Sequence, residues 1–554
     1  MQLEMEDLTI QIDELEESHL VDRITRKFDN YESARSSQIA DLAAVRNSIY
    51  EIKSPVHGAW DSKVDLPNMY ELAQTLKAHI TQNVYSHPET MFDVSGTSEE
   101  SQAFANKQKA MLVKTFEEMN FELELEKIVN GIVEAGEATL FVGWDTKVKR
   151  TRRAQTFEEK LLDFNNKGFV IEEKVVYDNA KIKYIHPEDF VFDKYDADNW
   201  DSCSKIYRTY KTLDEIRCDK SNNYLNEMKL EDLKGVVAKN SKRPTSFDNN
   251  KLEVFEFLGD IELKNGKTLK NWFITVAGRK HIIRFESNPF VINPFIHANI
   301  IENPATGRGI SPIRVALVLN DISSEILNKQ LDALALTMNP PYLAPKGCFR
   351  GQQNISPGKI IEYDAALMPT TPTPLNFDKA MVGWDFLNYF KTTIEREEND
   401  LGLQDDRMSG NIQDQARTAT ELNYSASGQE SRLNMILEEI NRKIIIPAVE
   451  KTADIIANFK LGKETIAVNE HGQTSFIEID DSIRNANYIY RYGDRKATFE
   501  RKNRFKELFE VVQAFAQVDV IAQNIDWLEC FKFALEQYGI ENVNNFLLDK
   551  DTIS

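Results

Sequence analysis

Two groups of carboxylates are the residues most able to do chemistry: Glu395, Glu397 and Glu398 with Asp400, and Asp405 with Asp406. Clustered acids can hold a divalent cation and support metal-assisted phosphodiester hydrolysis. They can equally form a solvated acidic face, or line a channel with negative charge. The other chemistry-bearing residues converge less. The eight histidines are scattered. His186, in IHPEDF, reads as a strand-end residue, and His281 and His297 have no carboxylate or cysteine at ligand spacing. Cys203, Cys218, Cys348 and Cys530 form no CxxC pair, so reduced structural thiols are expected. No phosphate-binding GxxxxGK[ST], HExxH, GxSxG or dinucleotide glycine fingerprint occurs.

The totals narrow the classes further. The chain has 554 residues and a formal net charge of −21. That balance argues against a broad grip on nucleic acid, which depends on Lys and Arg displacing counterions. It permits a wall along which nucleic acid passes without sticking. Lys147–Arg153 (KVKRTRR) is a local exception, read as a loop that is either solvated or a subunit contact. No run of about 18 apolar residues calls for a membrane span. The acidic MQLEMEDLTIQIDELEE start lacks a basic n-region and a cleavage site, so retention in the producing cell is expected.

The elements that must position these groups follow from periodicity. Residues 1–20 read as a frayed arm, and three helices follow over 22–52, 68–85 and 99–135. Gly136 closes the third, and ATLFVGWD (138–145) suits a buried strand. Residues 169–287 are mostly strand, interrupted by a helical insert at 213–239, and VINPFIHANI completes a mixed α/β body. The short strands ETIAVNE, TSFIEID and YIYRYG could rejoin that sheet, and 498–554 reads as helical.

Between Gly309 and Glu421 the organisation sharpens. Ser311 as N-cap and Pro312 at N1 start a helix that Asn339-Pro340-Pro341 stops after Met338. Arg314, Asp321, Glu325, Lys329 and Asp332 fall within an arc of about 80°, and apolar residues take most of the rest. One antiparallel partner cannot cover such a helix, so packing between subunits is expected. Residues 339–378 are proline-rich, with a candidate strand at KIIEYD and a positive bias from Lys346, Arg350 and Lys359. A second helix runs from Asp378 to about Leu401. A polar loop spans 402–417, and Thr418-Ala419-Thr420-Glu421 opens a long helix that Pro447 should kink.

This ordered set resembles the portal (head-to-tail connector) proteins of tailed bacteriophages, with the nearest likeness to those of short-tailed phages. It is carried by GRGISPIRVALVLNDISSEILNKQLDALALTMNPPYLAPKG, RTATELNYSASGQESRLNMILEEINRKIIIPAVE, DLPNMYELAQTLKAHITQNVYSHPETMFDV, AGEATLFVGWD, YIHPEDFVFD and YGDRKATFERK. The resemblance implies an α+β portal fold. Its parts would be a mixed α/β wing (1–308 and 418–497), a stem of paired helices (309–338 and 379–401), a small β-containing clip (339–378), a tunnel loop (402–417) and a helical crown (498–554). It also implies a non-enzymatic subunit of a homo-oligomeric ring, a dodecamer in the virion, assembled in the host cytoplasm. Double-stranded DNA would pass along the axis. The expected partners are the terminase large subunit, then head-to-tail adaptor and tail proteins, with major capsid and scaffold proteins around the ring and no cofactor or membrane. Gln404, Asp405, Asp406, Arg407, Met408, Asn411 and Gln413 would face DNA, with Glu395, Glu397, Glu398 and Asp400 at the acidic stem end. Lys346, Arg350 and Lys359 would contribute to docking at the clip. The competing readings are a metal-dependent nuclease built on the acidic clusters, and a capsid or scaffold protein without a pore.

Overall fold

A computed structural model describes residues 13–51, 62–84, 88–154, 169–193, 200–236, 251–304, 306–338, 342–343, 434–470 and 473–492, with positions 366, 373–374, 388 and 392. The chain divides into two compact units, one of Met1–Val84 with Thr115–Leu461, the other of Tyr85–Lys114 with Gly462–Ser554.

The first unit is built around two antiparallel sheets. Five strands, Phe190–Phe192, Lys205–Thr212, Lys251–Glu262, Thr268–Ala277 and His281–Ser287, pair in that order. Alternation along Lys251–Glu262 sends Phe255 and Phe257 to one face and Leu252 and Val254 to the other. The helix Glu14–Ala34 covers the first face with Leu20, Val21, Ile24 and Phe28. Phe28 stacks on Phe255 with centroids 4.5 Å apart. Ile216 and Leu233, from the helices Leu213–Cys218 and Glu227–Leu233, cover the other face.

The second sheet has three strands, in the order Phe169–Ile185, Glu137–Ala154 and Phe295–Asn299. The helix Phe121–Ala135 packs against it, and Gly131 lies where a Cβ would sit 2.2 Å from the Tyr184 hydroxyl. The helix Ile446–Phe459 also packs on this sheet, with Phe459 stacked on Trp144 at 5.2 Å. A π-helical turn over Asn441–Ile445 precedes it. The turn sits where Pro447 lacks the N–H an α-helix would need, so the expected kink takes this form.

The second unit contains the hairpin Glu464–Glu470 with Gln473–Ile479, and Phe92–Gly96 paired with Tyr488–Tyr492. Arg484, with its side chain 2 % exposed, donates to the Gly462 carbonyl at 2.6 Å and to Asp481 at 3.0 Å.

Several local expectations change. The first helix begins at Glu14 rather than beyond residue 20, because Glu17 and Leu20 are buried. It breaks at Arg35, whose side chain turns into the interior, and a second helix runs Ser36–Tyr50. The helix expected over 99–135 is two, Glu99–Glu118 and Phe121–Ala135, hinged at Asn120 with φ 53°. Asparagine tolerates that left-handed geometry better than most residues. Of the three late strands, Glu464–Glu470 and Gln473–Ile479 pair with each other and Tyr488–Tyr492 pairs with Phe92–Gly96; among the described residues none joins the three- or five-stranded sheet. Lys147–Arg153 is strand, not loop.

The Phe28 ring fills the junction between the first helix and the five-stranded sheet and is 0 % exposed. Phe28→Ala should therefore destabilise the subunit by about 3–5 kcal/mol, read as a fall in its denaturation midpoint. A change within about 0.5 kcal/mol would mean this contact is peripheral.

Candidate functional site at the root of the long helix

The helix Arg314–Met338 dominates the described part of the 309–421 stretch. It leaves the body at a close backbone crossing. Gly136 has φ 71°, and a Cβ there would lie 1.9 Å from the Ile310 carbonyl oxygen. A Cβ on Gly309 would lie 2.5 Å from the Gly136 carbonyl carbon. Only glycines permit this approach, which lets the Ile300 N–H reach the Gly136 carbonyl at 2.9 Å. Ser311 then donates to the Val133 carbonyl at 2.7 Å and accepts from the Ile313 N–H at 3.3 Å.

Beside the crossing lies a buried charge cluster. Glu137 is 0 % exposed and accepts from the Gly309 N–H at 3.0 Å and from Gln38 at 3.1 Å. The Arg308 guanidinium approaches its other oxygen at 3.6 Å and lies 3.9 Å from the Phe192 ring centroid. Arg35 donates to the carbonyls of Pro187, Glu188 and Phe190 at 2.5, 2.6 and 2.8 Å. Burial pushes its pKa down to about 9, with Arg308 adding repulsion. For Glu137, burial works to raise the pKa, but Arg308, His297, the Gly309 N–H and Arg35 outweigh it and hold the carboxyl below its usual value. Glu137 is thus an anion, fixed where two helices and a sheet meet.

His297 closes the cluster. Its Nδ1 lies 2.9 Å from the Thr139 hydroxyl, and its ring packs by Phe192 and Trp200. Burial lowers its pKa to about 4. The other two histidines flagged by sequence are also structural. His186 caps the turn Pro187–Asp189, accepting from the Glu188 N–H at 3.2 Å, with Arg46 2.7 Å from its Nε2. His281 meets Asp232 at 3.3 Å and Glu17 at 3.7 Å, carboxylates far away in sequence. Among the described residues no group of three or more His, Cys, Asp or Glu is placed to hold a metal ion.

The long helix is held along its length by a second device. Residues 62–66 run extended and antiparallel beside it. The Ser62 N–H donates to Asp332 at 2.7 Å, the Val64 N–H to Asn328 at 2.7 Å and the Leu66 N–H to the Ser324 hydroxyl at 3.1 Å. Asn328 also donates back to the Val64 carbonyl at 3.0 Å. Two residues of extended chain advance about 6.6 Å and four helical residues about 6.0 Å, so the two repeats keep step. Asp332, one of the five charged residues on the arc of about 80°, is thus committed to backbone recognition. Ser324 and Asn328 were missed as functional positions, and their spacing from Asp332 at i, i+4 and i+8 was the available signal.

As a result, the helix buries a mostly small and polar face within its own chain. Ala316, Asn320, Ser323 and Ser324 are buried, whereas Val318 is 59 % and Ile322 36 % exposed. Leu319 and Ile326, on the same flank, are only partly covered. A pocket of about 50 Å³ beside the helix start is lined by Ser37, Gln38, Asp41, Glu134, Ser311 and Arg314. Arg314 and Asp41 pair there at 3.0 Å.

Gln404, Asp405, Asp406, Arg407, Met408, Asn411 and Gln413, the acids Glu395, Glu397, Glu398 and Asp400, and Lys346, Arg350 and Lys359 all fall outside the described residues.

The α+β body, with its several small sheets and long helix Arg314–Met338, is consistent with the fold of a phage portal protein. The family model described as Phage SU10 portal protein matches residues 61–549, and the chain belongs to that family. Membership implies a homo-oligomeric ring at a capsid vertex and a place in the virion, in a structural rather than enzymatic family. No curated protein matches the chain. No helix among the described residues is long and apolar enough to cross a membrane.

The cluster makes stability depend on pH with a definite sign. His297 is neutral in the fold at pH values where the unfolded chain, near 6.5, already binds a proton. Its contribution is full above 6.5 and is lost as pH falls from about 6.5 to about 4. Thermal unfolding of the subunit should lose up to roughly 3 kcal/mol over that window, and His297→Gln should flatten the slope between pH 6.5 and 4.5. An unchanged slope in the variant would remove His297 from this role.

Proposed function

We propose that this portal subunit forms the DNA channel at one capsid vertex, docks the terminase motor while the genome is packaged, binds the tail adaptor afterwards and conducts DNA at ejection. The observation that carries the ring is the face inversion of the helix Arg314–Met338. It places Val318 and Ile322 outward while Ser324, Asn328 and Asp332 bond to residues 62–66 of the same chain. Apolar area of this kind is stabilised only when another surface removes it from water, at about 25 cal/mol per Å². Further copies of the same helix supply that surface, and heterologous contacts that close make a ring.

In this reading, residues 309–338 and 379–401 are the stem, 339–378 the clip and 402–417 the tunnel loop. Residues 1–308 with 418–497 form the wing, and 498–554 the crown. Lys346, Arg350 and Lys359 contribute to motor and adaptor docking at the clip. Gln404, Asp405, Asp406, Arg407, Met408, Asn411 and Gln413 face the DNA. Arg407 meets phosphates, while Asp405, Asp406 and the stem acids Glu395, Glu397, Glu398 and Asp400 limit retention, since fixed negative charge opposes the polyanion. The ring is a dodecamer, assembled in the host cytoplasm among capsid and scaffold proteins. The chain itself carries no catalytic step, and ATP hydrolysis belongs to the motor.

Electron microscopy of the purified chain should show closed rings with an axial hole. Val318→Asp with Ile322→Asp should leave circular dichroism and monomer solubility intact and abolish rings; rings that persist would place the subunit contact elsewhere. Deleting Asp405–Gln413 should spare assembly and cut DNA packaging or retention by about tenfold or more. Loss of assembly instead would make that loop structural.

A further inference from the structure

The strands Glu137–Ala154 and Phe169–Ile185 are 18 and 17 residues long, yet the third strand of their sheet pairs only with Glu137–Phe141. Beyond Trp144 they continue as a two-stranded ribbon, paired from Asp145↔Asn179 to Ala154↔Phe169. At about 3.3 Å per residue the described strand 145–154 reaches roughly 33 Å. Residues 146–150 and 171–176 are all exposed. A ribbon this long with both faces in water is marginal on its own.

Its two faces differ. Directly paired residues share a face, so Val148 with Val175, Arg150 with Glu173, and Arg152 with Ile171 lie together. Val148 is 49 %, Val175 53 % and Ile171 57 % exposed. The acid on this face is already used, since Arg150 and Glu173 pair at 2.8 Å. Arg152 lies 4.6 Å from the Phe169 ring centroid. The opposite face sets Lys149 against Lys174, a like-charge pair that disfavours the isolated ribbon. Within 147–154 and 169–177 there are six Lys or Arg against two Glu, on a chain whose net charge is −21.

We infer that this ribbon is an arm that docks on a second copy of the chain in the ring, Val148, Ile171 and Val175 supplying the apolar contact, Arg150 and Arg152 the charge on that face, and Lys149, Arg153 and Lys174 positive charge from the reverse face. The neighbour offers a complementary surface. Leu123, 61 % exposed at the start of the helix Phe121–Ala135, shares that helix with the exposed acids Glu122 and Glu126 and with Lys127, which pairs with Glu124 at 2.6 Å, and exposed Glu117 lies in the last turn of the preceding helix. An exposed apolar anchor on a helix start where acids outnumber the one nearby base, Lys127, facing an apolar stripe beside Arg150 and Arg152, fits a partner that is always present at the same register. A second copy satisfies that condition, because each subunit carries both surfaces and the contact is heterologous. The inference rests on the ring reading above and adds where the bodies of adjacent subunits grip one another.

The test uses the full chain in three forms: Arg150→Glu/Arg152→Glu/Arg153→Glu, Glu117→Lys/Glu122→Lys/Glu126→Lys, and both sets together. Mass photometry and electron microscopy follow ring formation against protein concentration. Each single set should raise the half-assembly concentration by about tenfold or more, and the combined set should recover most of that loss. Independently, Ile171→Cys with Leu123→Cys should give an oxidation-dependent crosslink between subunits of the assembled ring. Rings that form at the wild-type concentration in the arginine variant would overturn the arm, as would absence of the crosslink in assembled rings. Unchanged rings with weakened DNA retention would make the ribbon a nucleic-acid arm instead. A wild-type chain that never assembles would overturn the ring reading itself, and with it the arm; wild-type rings indifferent to the ribbon would overturn only the arm.

Discussion

One buried carboxylate holds the root of the long helix in place. Glu137 begins the strand that leads into the ribbon, one residue after the helix Phe121–Ala135 ends at Gly136. The same side chain receives the N–H of Gly309 and faces Arg308, the residues that lead into Arg314–Met338. Three elements therefore meet at one anion. Taking a charge out of water is tolerated only with partners in place, and removing one partner of such a pair costs about 3–5 kcal/mol. The penalty is directional: any shift of the helix start relative to the sheet strands the carboxylate. The glycines at 136 and 309 are the steric counterpart, since side chains there would force the backbones apart. Electrostatics and sterics thus select the same exit direction.

The ladder from residues 62–66 explains how the helix can be both firmly held and apolar on its outside. Hydrogen bonds are directional, so Ser324, Asn328 and Asp332 fix the helix along and around its axis. Burial of apolar surface is non-directional and scales with area. Dividing the labour in this way leaves the apolar flank at Val318 and Ile322 available to other copies without loosening the helix in its own subunit. A helix that used its leucines and isoleucines to bind its own body would have little left with which to close a ring.

The sequence was most legible where period and punctuation coincide. Ser311-Pro312 and Asn339-Pro340-Pro341 bracket a helix found at Arg314–Met338, and the aromatic and β-branched runs between 251 and 287 are strands of one sheet. It was least legible where tertiary contact decides. Arg35 reads as a surface residue in a helical window, yet three carbonyls of the 187–190 turn draw it inside and break the helix. Asn120 interrupts a continuous apolar period by adopting φ 53°. Lys147–Arg153 has a composition suited to a loop, because nothing in a local window reveals that Phe169–Val175 will pair with it. The Glu137 cluster was invisible for the same reason: Arg35, Glu137 and the pair His297 and Arg308 come from three distant segments. Its only local trace was the glycine at each crossing point.

Net charge and assembly can be reconciled on the same footing. A ring of subunits that each carry −21 must close against mutual repulsion. At physiological ionic strength the Debye length is about 8 Å, so that repulsion is set by the charges near each contact and not by the total. An arm in which six cations outnumber two acids, laid beside Glu117, Glu122 and Glu126, makes the local product of charges attractive while the remaining surface stays acidic. In the proposed arrangement the same distance dependence separates this contact from DNA on the axis. A basic ribbon neutralised by a neighbouring subunit presents little free positive charge to a polyanion. Holding neighbours tightly and holding DNA loosely are then compatible demands, because the cations that could serve both are committed to the first.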